Sequence, residues 1–268
     1  MPSVQPPKTS SPSEHLRCED HDGVRVLTID RPTSKNALDA PLRRALRSAF
    51  HAADRDESVR CIVLTAVDPV FSAGVDFKAI DSGPDSAAGP TDNPAAALRA
   101  IRTPAICAVN GACVSGALEL ALSATFIVAS DRARFADTHA LLGVAPTWGL
   151  TALLPRAIGV RRARELSIPG RFADADEALR IGLVNHVVNH DELRDRALEL
   201  ARLVPPGPAA GDMVELYRRG EDLGVAGALA SEAGFSAGRT YDLSAFTAAG
   251  KAASSRQRDT DKREGGGR

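Results

Sequence analysis

One stretch limits the possible folds more than any other: a short apolar segment, then small residues, then an alanine- and leucine-rich helix. Residues 105–109 are apolar throughout, which is typical of a buried strand. Ser115, Gly116 and Ala117 would let a ligand approach the backbone, and the first N–H groups of a helix have no acceptor within it. Glu119 lies one helical turn further on. The stretch therefore predicts an anion-binding turn with a carboxylate beside it.

A second stretch has the same organisation. Residues 61–66 form an apolar segment that is predicted to be a strand, and a loop of small residues around Gly74 follows it. Asp76 is placed to cap the segment after this loop. Because both loops come directly after strands, each can direct one backbone N–H group toward the same oxygen atom.

Strand, loop and helix alternate along the chain, which predicts an α/β fold with a mostly parallel sheet. The predicted core spans residues 15–204, after a disordered tail at 1–14. A helical C-terminal region at 205–253 and a second disordered tail at 254–268 are predicted to follow. The predicted strands are 24–30, 61–66, 105–109, 126–130 and 183–188, and the predicted helices are 41–53, 95–102, 149–154, 160–166, 174–181 and 191–204.

Composition and charge exclude several classes of protein. The 268 residues are 44% hydrophobic, which is enough for one large domain with a full core. Acidic and basic residues are mixed along the chain and the net charge is −1, so no nucleic-acid partner is expected. No apolar run approaches the roughly 18 residues that a membrane span needs, so no membrane partner is expected either.

The cysteines and the N-terminal segment bear on the cellular compartment. The four cysteines form no CxxC pair and three lie in apolar segments, which favours reduced, buried thiols. Residues 1–13 are rich in Pro and Ser and lack the apolar region of a signal peptide. We therefore expect a cytoplasmic protein.

Four motifs carry a family resemblance. They are Arg31-Pro32 with Asn36-Ala37-Leu38, Phe71-Ser72-Ala73-Gly74-Val75-Asp76, Ala108-Val109-Asn110-Gly111 through Glu119-Leu120-Ala121, and Ala175-Asp176-Glu177-Ala178-Leu179-Arg180-Ile181-Gly182-Leu183-Val184. In this order and at these spacings, the chain resembles the enoyl-CoA hydratase/isomerase (crotonase) superfamily over about residues 17–250.

The resemblance implies both a fold and a partner. The fold is a crotonase-like spiral of ββα units, followed by a helical C-terminal region that mediates homotrimers, often paired into hexamers. The partner is an acyl-CoA thioester. Coenzyme A enters as part of this substrate, so no separate cofactor and no metal is expected.

The resemblance also implies how the thioester is held. The N–H groups of Val75 and Gly116 would form an oxyanion hole for the thioester oxygen, and such donors typically contribute on the order of 10²–10³ in rate each. The substrate-binding residues that the resemblance implies are Ser34, Lys35, Ala37, Ala73, Gly74 and Trp148, the last beside the acyl chain.

The acid–base pair departs from the family pattern. Hydratases of the family use two glutamates, which hold a water and deliver a proton to the α-carbon. Glu119 matches the first, whereas the second position is His139. An imidazole, with an ordinary pKa of about 6.5, can hold a water and transfer a proton near neutral pH. The resemblance thus implies an enoyl-CoA hydratase that converts a trans-2-enoyl-CoA to a 3-hydroxyacyl-CoA, with Glu119 also managing the α-carbon proton.

Other interpretations of the same residues stay open. A single glutamate is compatible with an enoyl-CoA isomerase, and a missing second glutamate is compatible with a catalytically idle acyl-CoA-binding protein of the same fold. Taken alone, Glu119 is a carboxylate in the first turn of a helix, where it is worth about 0.3–1 kcal/mol. His139 alone would be a turn residue or a partly buried histidine with satisfied hydrogen bonds, and Gly74 and Gly116 alone would mark tight turns.

Overall fold

The computed structural model describes residues 9–76 and 92–237. The chain divides into two compact units, residues 1–215 and residues 216–268. This division falls later than residue 204, where the sequence predicts the core to end. The last part of the predicted helical region and the predicted C-terminal tail lie outside the described residues.

Two β-sheets lie in the first unit. The strands are β1 (Thr9–Ser13), β2 (Leu16–His21), β3 (Val24–Ile29), β4 (Cys61–Ala66), β5 (Ala105–Val109), β6 (Ala112–Val114), β7 (Phe126–Ser130), β8 (Arg134–Ala136), β9 (Phe172–Asp174) and β10 (His186–Val188). The larger sheet has the order β1-β2-β3-β4-β5-β7-β10, and the smaller has the order β6-β8-β9. From β3 to β10 the larger sheet is parallel, while β1 and β2 add antiparallel strands at one edge.

Some of the described helices have a side-chain cap at their first turn. The helices are α1 (Ala40–Asp54), α2 (Pro94–Ala100), α3 (Gly116–Ala121), α4 (Leu150–Ile158), α5 (Val160–Ser167), α6 (Ala175–Ile181), α7 (Leu193–Arg202), α8 (Ala209–Gly220) and α9 (Val225–Ser236). The Asp39 carboxylate accepts the Leu42 N–H at 2.9 Å at the start of α1. Gly182, with φ of 82°, ends α6 in the left-handed conformation that glycine adopts without a steric cost.

Both faces of the larger sheet are covered, which explains why its central strands are apolar without interruption. On one face, Ile62 and Leu64 of β4 share a buried cluster with Phe50 of α1. On the other face, Val63 shares a second cluster with Leu198 of α7. The predicted α/β class and the mostly parallel sheet are therefore confirmed.

Two predicted segments differ most from the structure, while the helix predicted at 149–154 extends to Ile158 in α4. Within the predicted disordered tail at 1–14, Thr9–Ser13 pair antiparallel with β2; Pro12 is tolerated there because β1 is an edge strand. Residues 1–8 lie outside the described residues. The predicted strand at 183–188 keeps only its last three residues, because the N–H groups of Leu183 and Val184 donate to the Ala178 carbonyl at the end of α6 instead.

The helices that the structure describes are all too short or too polar to cross a bilayer.

The second unit contributes α9, whose Val225 and Leu229 side chains are 79% and 60% exposed. In the first unit, the smaller sheet lies at the start of α3 and connects the segments that carry the candidate site.

Candidate active site

The loop after β3 and the loop after β4 are joined by main-chain hydrogen bonds. The Ala73 N–H donates to the Lys35 carbonyl at 3.0 Å. Leu38 lies between two further partners: its N–H donates to the Gly74 carbonyl at 2.8 Å, and its carbonyl accepts the Asp76 N–H at 3.3 Å. The pairing resembles a short parallel ladder and holds the two loops in one register.

Arg31 ties the same two loops through its side chain. Its Nη1 lies 2.6 Å from Oδ2 of Asp76 and 3.1 Å from the Ala37 carbonyl oxygen, and its Nε lies 3.3 Å from Oδ2 of Asp39. The ion pair with Asp76 is largely shielded from water, so it is stronger than a surface pair. The sequence predicts Asp76 as a cap for the segment after it, which lies outside the described residues; within them it pairs with Arg31.

Asn36 fixes the turn from inside. Its side chain is fully buried, and its backbone has φ of 52°, a conformation that asparagine adopts more readily than most residues. The side-chain amide donates to the carbonyls of Val67 and Val70 at 2.7 Å each, and its oxygen accepts the Arg31 N–H at 2.9 Å. Asn36 therefore satisfies three main-chain groups of the two loops at once.

Two glycines let the amides of Val75 and Gly116 approach each other. A Cβ atom on Gly116 would lie 3.4 Å from the Val75 nitrogen, and a Cβ atom on Gly74 would lie 3.3 Å from the Gly116 nitrogen. Within the part of the chain that the structure describes, neither the Val75 N–H nor the Gly116 N–H donates to a protein acceptor. Two unpaired donors on separate loops are thus neighbours, an arrangement that suits a single anionic oxygen.

The smaller sheet brings the start of α3 to the segment after β8. Strands β6 and β8 pair in parallel, and the Ser115 N–H donates to the Ala136 carbonyl at 2.9 Å. The Ser115 hydroxyl bonds the Thr138 hydroxyl at 2.8 Å and accepts the Thr138 N–H at 2.9 Å. These bonds hold Ser115 at φ of 49° and bring the residue after Thr138 toward α3.

Glu119 is buried, with only 1% of its surface exposed, but its carboxylate is not in an apolar environment. Oε1 accepts the N–H groups of Trp148 and Leu150 at 2.7 Å and 3.1 Å. Oε2 lies 3.8 Å from Nε2 of His139. Burial raises the pKa of Glu119 above its usual range, although the two N–H bonds and the nearby imidazole act in the opposite direction.

His139 is held between two carboxylates. Its Nδ1–H donates to Oδ1 of Asp137 at 2.6 Å, and its main-chain N–H donates to the same oxygen at 3.1 Å. Burial alone would lower the pKa of His139, but the bond to Asp137 and the charges of Asp137 and Glu119 outweigh it and raise the pKa. For the Asp137 carboxyl group, burial alone would raise the pKa, but hydrogen bonds from His139 and Ser167 lower it. This carboxylate therefore stays ionised.

The loop at 140–147 joins the two sides of the acid–base pair. It begins after His139 and ends before Trp148, whose N–H is bound to Glu119. The Trp148 ring is 2% exposed, and its Cζ3 would lie 3.3 Å from a Cβ atom on Gly116. In contrast, Leu141 within the loop is 64% exposed. The loop is therefore anchored at both ends and presents apolar surface between them.

The structure brings most of the predicted site residues into one region. Val75 and Gly116 are neighbours, and Glu119 contacts both His139 and Trp148. Ser34 lies in the 3₁₀ turn Pro32–Ser34, and the exposed Lys35 follows it. The predicted residues on the two paired loops are Ser34, Lys35, Ala37, Ala73, Gly74 and Val75. Their roles toward a substrate stay predictions.

Asp137 is the site residue that sequence reasoning missed. It lies two residues before His139 and is 3% exposed. The available signal was a carboxylate close to the histidine that replaces a catalytic glutamate, because such a carboxylate can orient the ring. The short spacing alone did not show that the side chain turns back onto Nδ1.

Comparisons with known proteins identify the family of the chain. The chain fits the sequence profile described as enoyl-CoA hydratase/isomerase over residues 19–215. It belongs to the enoyl-CoA hydratase/isomerase family. The resemblance predicted from the motifs is therefore confirmed, and so is the crotonase-like fold with a helical C-terminal region. The trimerisation of that region stays a prediction.

Relatives and solved structures of the family cover most of this chain. A probable peroxisomal enoyl-CoA hydratase 1 from Arabidopsis thaliana is 39% identical over 68% of this chain and 69% of its own length. A probable enoyl-CoA hydratase from Rhizobium meliloti is 37% identical over 82% of this chain and 87% of its own. The crystal structure of enoyl-CoA hydratase from Mycobacterium tuberculosis H37Rv superposes with a TM-score of 0.70 at 37% identity, covering 81% of this chain and 96% of that one.

Proposed function

We propose that this member of the enoyl-CoA hydratase/isomerase family is an enoyl-CoA hydratase, which adds water to a trans-2-enoyl-CoA to give a 3-hydroxyacyl-CoA. The observation that carries the proposal is the pair of acid–base groups, Glu119 and His139, with Oε2 and Nε2 separated by 3.8 Å. A water contacting both atoms can give a proton to one side of this pair. The relatives named as hydratases support the same reaction.

The thioester would be activated by main-chain donors. The unpaired N–H groups of Val75 and Gly116 are neighbours, and their proximity supports a role as the oxyanion hole. When water attacks the β-carbon in conjugation, negative charge develops on the thioester oxygen, and preorganised donors stabilise it there. No cofactor or metal takes part in this scheme, because coenzyme A enters with the substrate.

The coenzyme A portion of the substrate would lie along the two paired loops. Ser34, Lys35 and Ala37 lie on one loop, and Ala73 lies on the other. Lys35 is exposed, so its ammonium group is free to reach a phosphate. At the acyl end, the buried Trp148 ring beside Gly116 supports a role in lining the acyl pocket.

The decisive experiment is a turnover screen of the purified protein with short, medium and long trans-2-enoyl-CoAs. We expect loss of the absorbance of the conjugated thioester and formation of the 3-hydroxyacyl-CoA, with a rate that depends on chain length. A parallel reaction with a 3-enoyl-CoA identifies an isomerase by the appearance of the conjugated product. Calorimetry with a saturated acyl-CoA, which has no double bond to hydrate, measures binding separately from turnover.

Two results would contradict the hydratase proposal. Rapid conversion of the 3-enoyl-CoA without any hydration would establish an isomerase. Tight acyl-CoA binding with no turnover of any enoyl-CoA would establish a binding protein. The second acid–base group at His139 favours hydration over both, because isomerisation needs only one base and binding needs none.

The oligomeric state and the compartment are also proposals. A homotrimer or hexamer is supported by exposed apolar side chains in the C-terminal helices, such as Met213 at 50% and Leu229 at 60% exposure. Light scattering of the purified protein measures the mass, and a monomeric mass would contradict an obligate oligomer. The buried thiols of Cys61, Cys107 and Cys113 support a reducing compartment such as the cytoplasm.

A further inference from the structure

The charged groups that face the His139 imidazole come from two elements. Among the described residues they are Asp137, from the segment after β8, and Glu119, from α3. The Ser167 hydroxyl at the end of α5 bonds the Asp137 carboxylate in turn. A buried imidazole with an ionised carboxylate at Nδ1 and a second carboxyl group opposite Nε2 has both ring nitrogens directed at acceptors.

This arrangement restricts the tautomer of His139. Because the ionised Asp137 accepts the Nδ1–H bond at 2.6 Å, the proton on Nδ1 is kept and only Nε2 gains or loses a proton. Nε2 is the atom that faces Glu119. Proton transfer to and from the ring therefore takes place on the side of the acid–base pair.

We propose that Asp137 is a positioning residue that keeps His139 as an imidazolium, so that His139 donates the proton to the α-carbon and Glu119 takes the proton from water. The proposal rests on the hydratase function above and assigns the two proton transfers to separate groups. It replaces the sequence-based expectation that Glu119 manages the α-carbon proton.

The assignment gives a balanced reaction. The water oxygen forms a bond to the β-carbon while one of its protons passes to Oε2 of Glu119. The electron pair of the carbon–carbon double bond moves toward the thioester, and the α-carbon takes the proton from Nε2 of His139. The products are the 3-hydroxyacyl-CoA, a neutral imidazole and a protonated carboxyl group. Transfer of that proton from Oε2 to Nε2 restores both groups, and the net change is the addition of one water.

The raised pKa values of the two groups suit these roles. Activity requires Glu119 without its proton and His139 with its proton, which predicts a bell-shaped pH dependence. Its two apparent pKa values belong to the pair rather than to either residue. Because the folded pKa of His139 is raised, activity persists above its ordinary value and falls as the pH rises through the folded value. The hydrogen bond and the charge of Asp137 supply part of the rise in the pKa of His139.

Asp137→Asn tests the proposal with little change of shape. The main-chain N–H of His139 also donates to Oδ1 of Asp137, so the oxygen of the substituted amide is held in the same place, while the negative charge is removed and Oδ2 becomes an NH2 group. We expect the basic limb of the kcat/KM profile to move down by about one pH unit or more. At pH values above the shifted limb, kcat/KM of the variant is then lower than that of the wild type by about tenfold or more. At pH values below the shifted limb the difference is much smaller, and KM is little changed.

Two further variants separate positioning from structure. Asp137→Glu retains the negative charge, and we expect it to recover part of the basic limb. In a His139→Gln background, Asp137→Asn should cost little further activity, because the group through which Asp137 acts is absent. A loss of rate that is equal at every pH, or an undiminished loss in the His139→Gln background, would assign Asp137 a structural role only and overturn the proposal.

A direct titration of His139 by NMR does not depend on turnover. The His139 signal is assigned by its absence from the His139→Gln spectrum, and its pKa is measured in the wild-type protein and in Asp137→Asn. We expect the value to fall in the variant, and an unchanged value would overturn the proposal. If the pKa falls but no enoyl-CoA is hydrated, the control by Asp137 stands while the hydratase function and the proton-donor role of His139 fail.

Discussion

Glu119→Gln is expected to lower the rate of crotonyl-CoA hydration by about 10²–10⁴-fold, the usual contribution of a positioned acid–base group. The amide keeps the size of the side chain, and its oxygen can still accept the N–H groups of Trp148 and Leu150. It cannot take a proton from water. Initial rates followed by the loss of enone absorbance measure the effect.

The melting temperature of Glu119→Gln shows whether a loss of rate comes from a loss of stability. Burial raises the pKa of Glu119, which means that its ionised form destabilises the folded state near neutral pH. Removing the charge should therefore leave the melting temperature unchanged or higher. Glu165→Gln is the matched variant, because the Glu165 side chain is 65% exposed and should keep the full rate. Full hydration activity in Glu119→Gln would show that the proposed chemistry is wrong.

Gly116→Ala is expected to lower kcat on the order of 10²-fold, about the effect of removing one oxyanion donor. The added methyl group would lie 3.1 Å from Cγ2 of Val75 and 3.4 Å from its nitrogen, so Val75 must shift by a few tenths of an ångström, and we expect the two N–H donors to lose their alignment. Overpacking of this size also costs about 1–3 kcal/mol of stability. The rate is therefore measured well below the melting transition of the variant.

Gly234→Ala is the control for the same chemical change. A Cβ atom on Gly234 meets no heavy atom within 4 Å, and the residue lies inside α9. The substitution should keep the full rate and raise stability by up to about 1 kcal/mol, because alanine favours a helix. If Gly116→Ala turned over substrate as fast as this control, the neighbouring amides would have no part in catalysis.

The sequence predicts the central strands well because they are buried on both faces, which makes an uninterrupted apolar run the dominant signal. Predicted strands at 61–66, 105–109 and 126–130 agree residue for residue with β4, β5 and β7. Helices cover both faces of the sheet, so nearly every side chain on these strands is buried and the apolar run ends where the strand ends. The helix starts predicted at residues 41 and 174 lie within one residue of the starts of α1 and α6 for a similarly local reason, since the capping side chains of Asp39 and Asp174 lie beside the helices they cap.

The contacts that assemble the candidate site were not local. Strands β6 and β8 contain three residues each and form only through pairing with neighbouring strands. Such short segments carry no periodicity of their own. The Ser115–Thr138 bonds accompany that pairing. The Asp137–His139 contact depends on how the Asp137 side chain turns, so the sequence could suggest Glu119 and His139 as partners but could not show how the imidazole is oriented.

The anchoring of the loop at 140–147 has a consequence for how this enzyme family can diversify. One end of the loop follows the imidazole, and the other end supplies main-chain N–H groups to the carboxylate, and neither attachment uses the side chains in between. Substitutions of exposed side chains such as Leu141 therefore change the surface of the loop without replacing a group that holds Glu119 or His139. The exposed apolar surface of this segment and the acid–base pair are therefore carried by different side chains of one continuous stretch of chain.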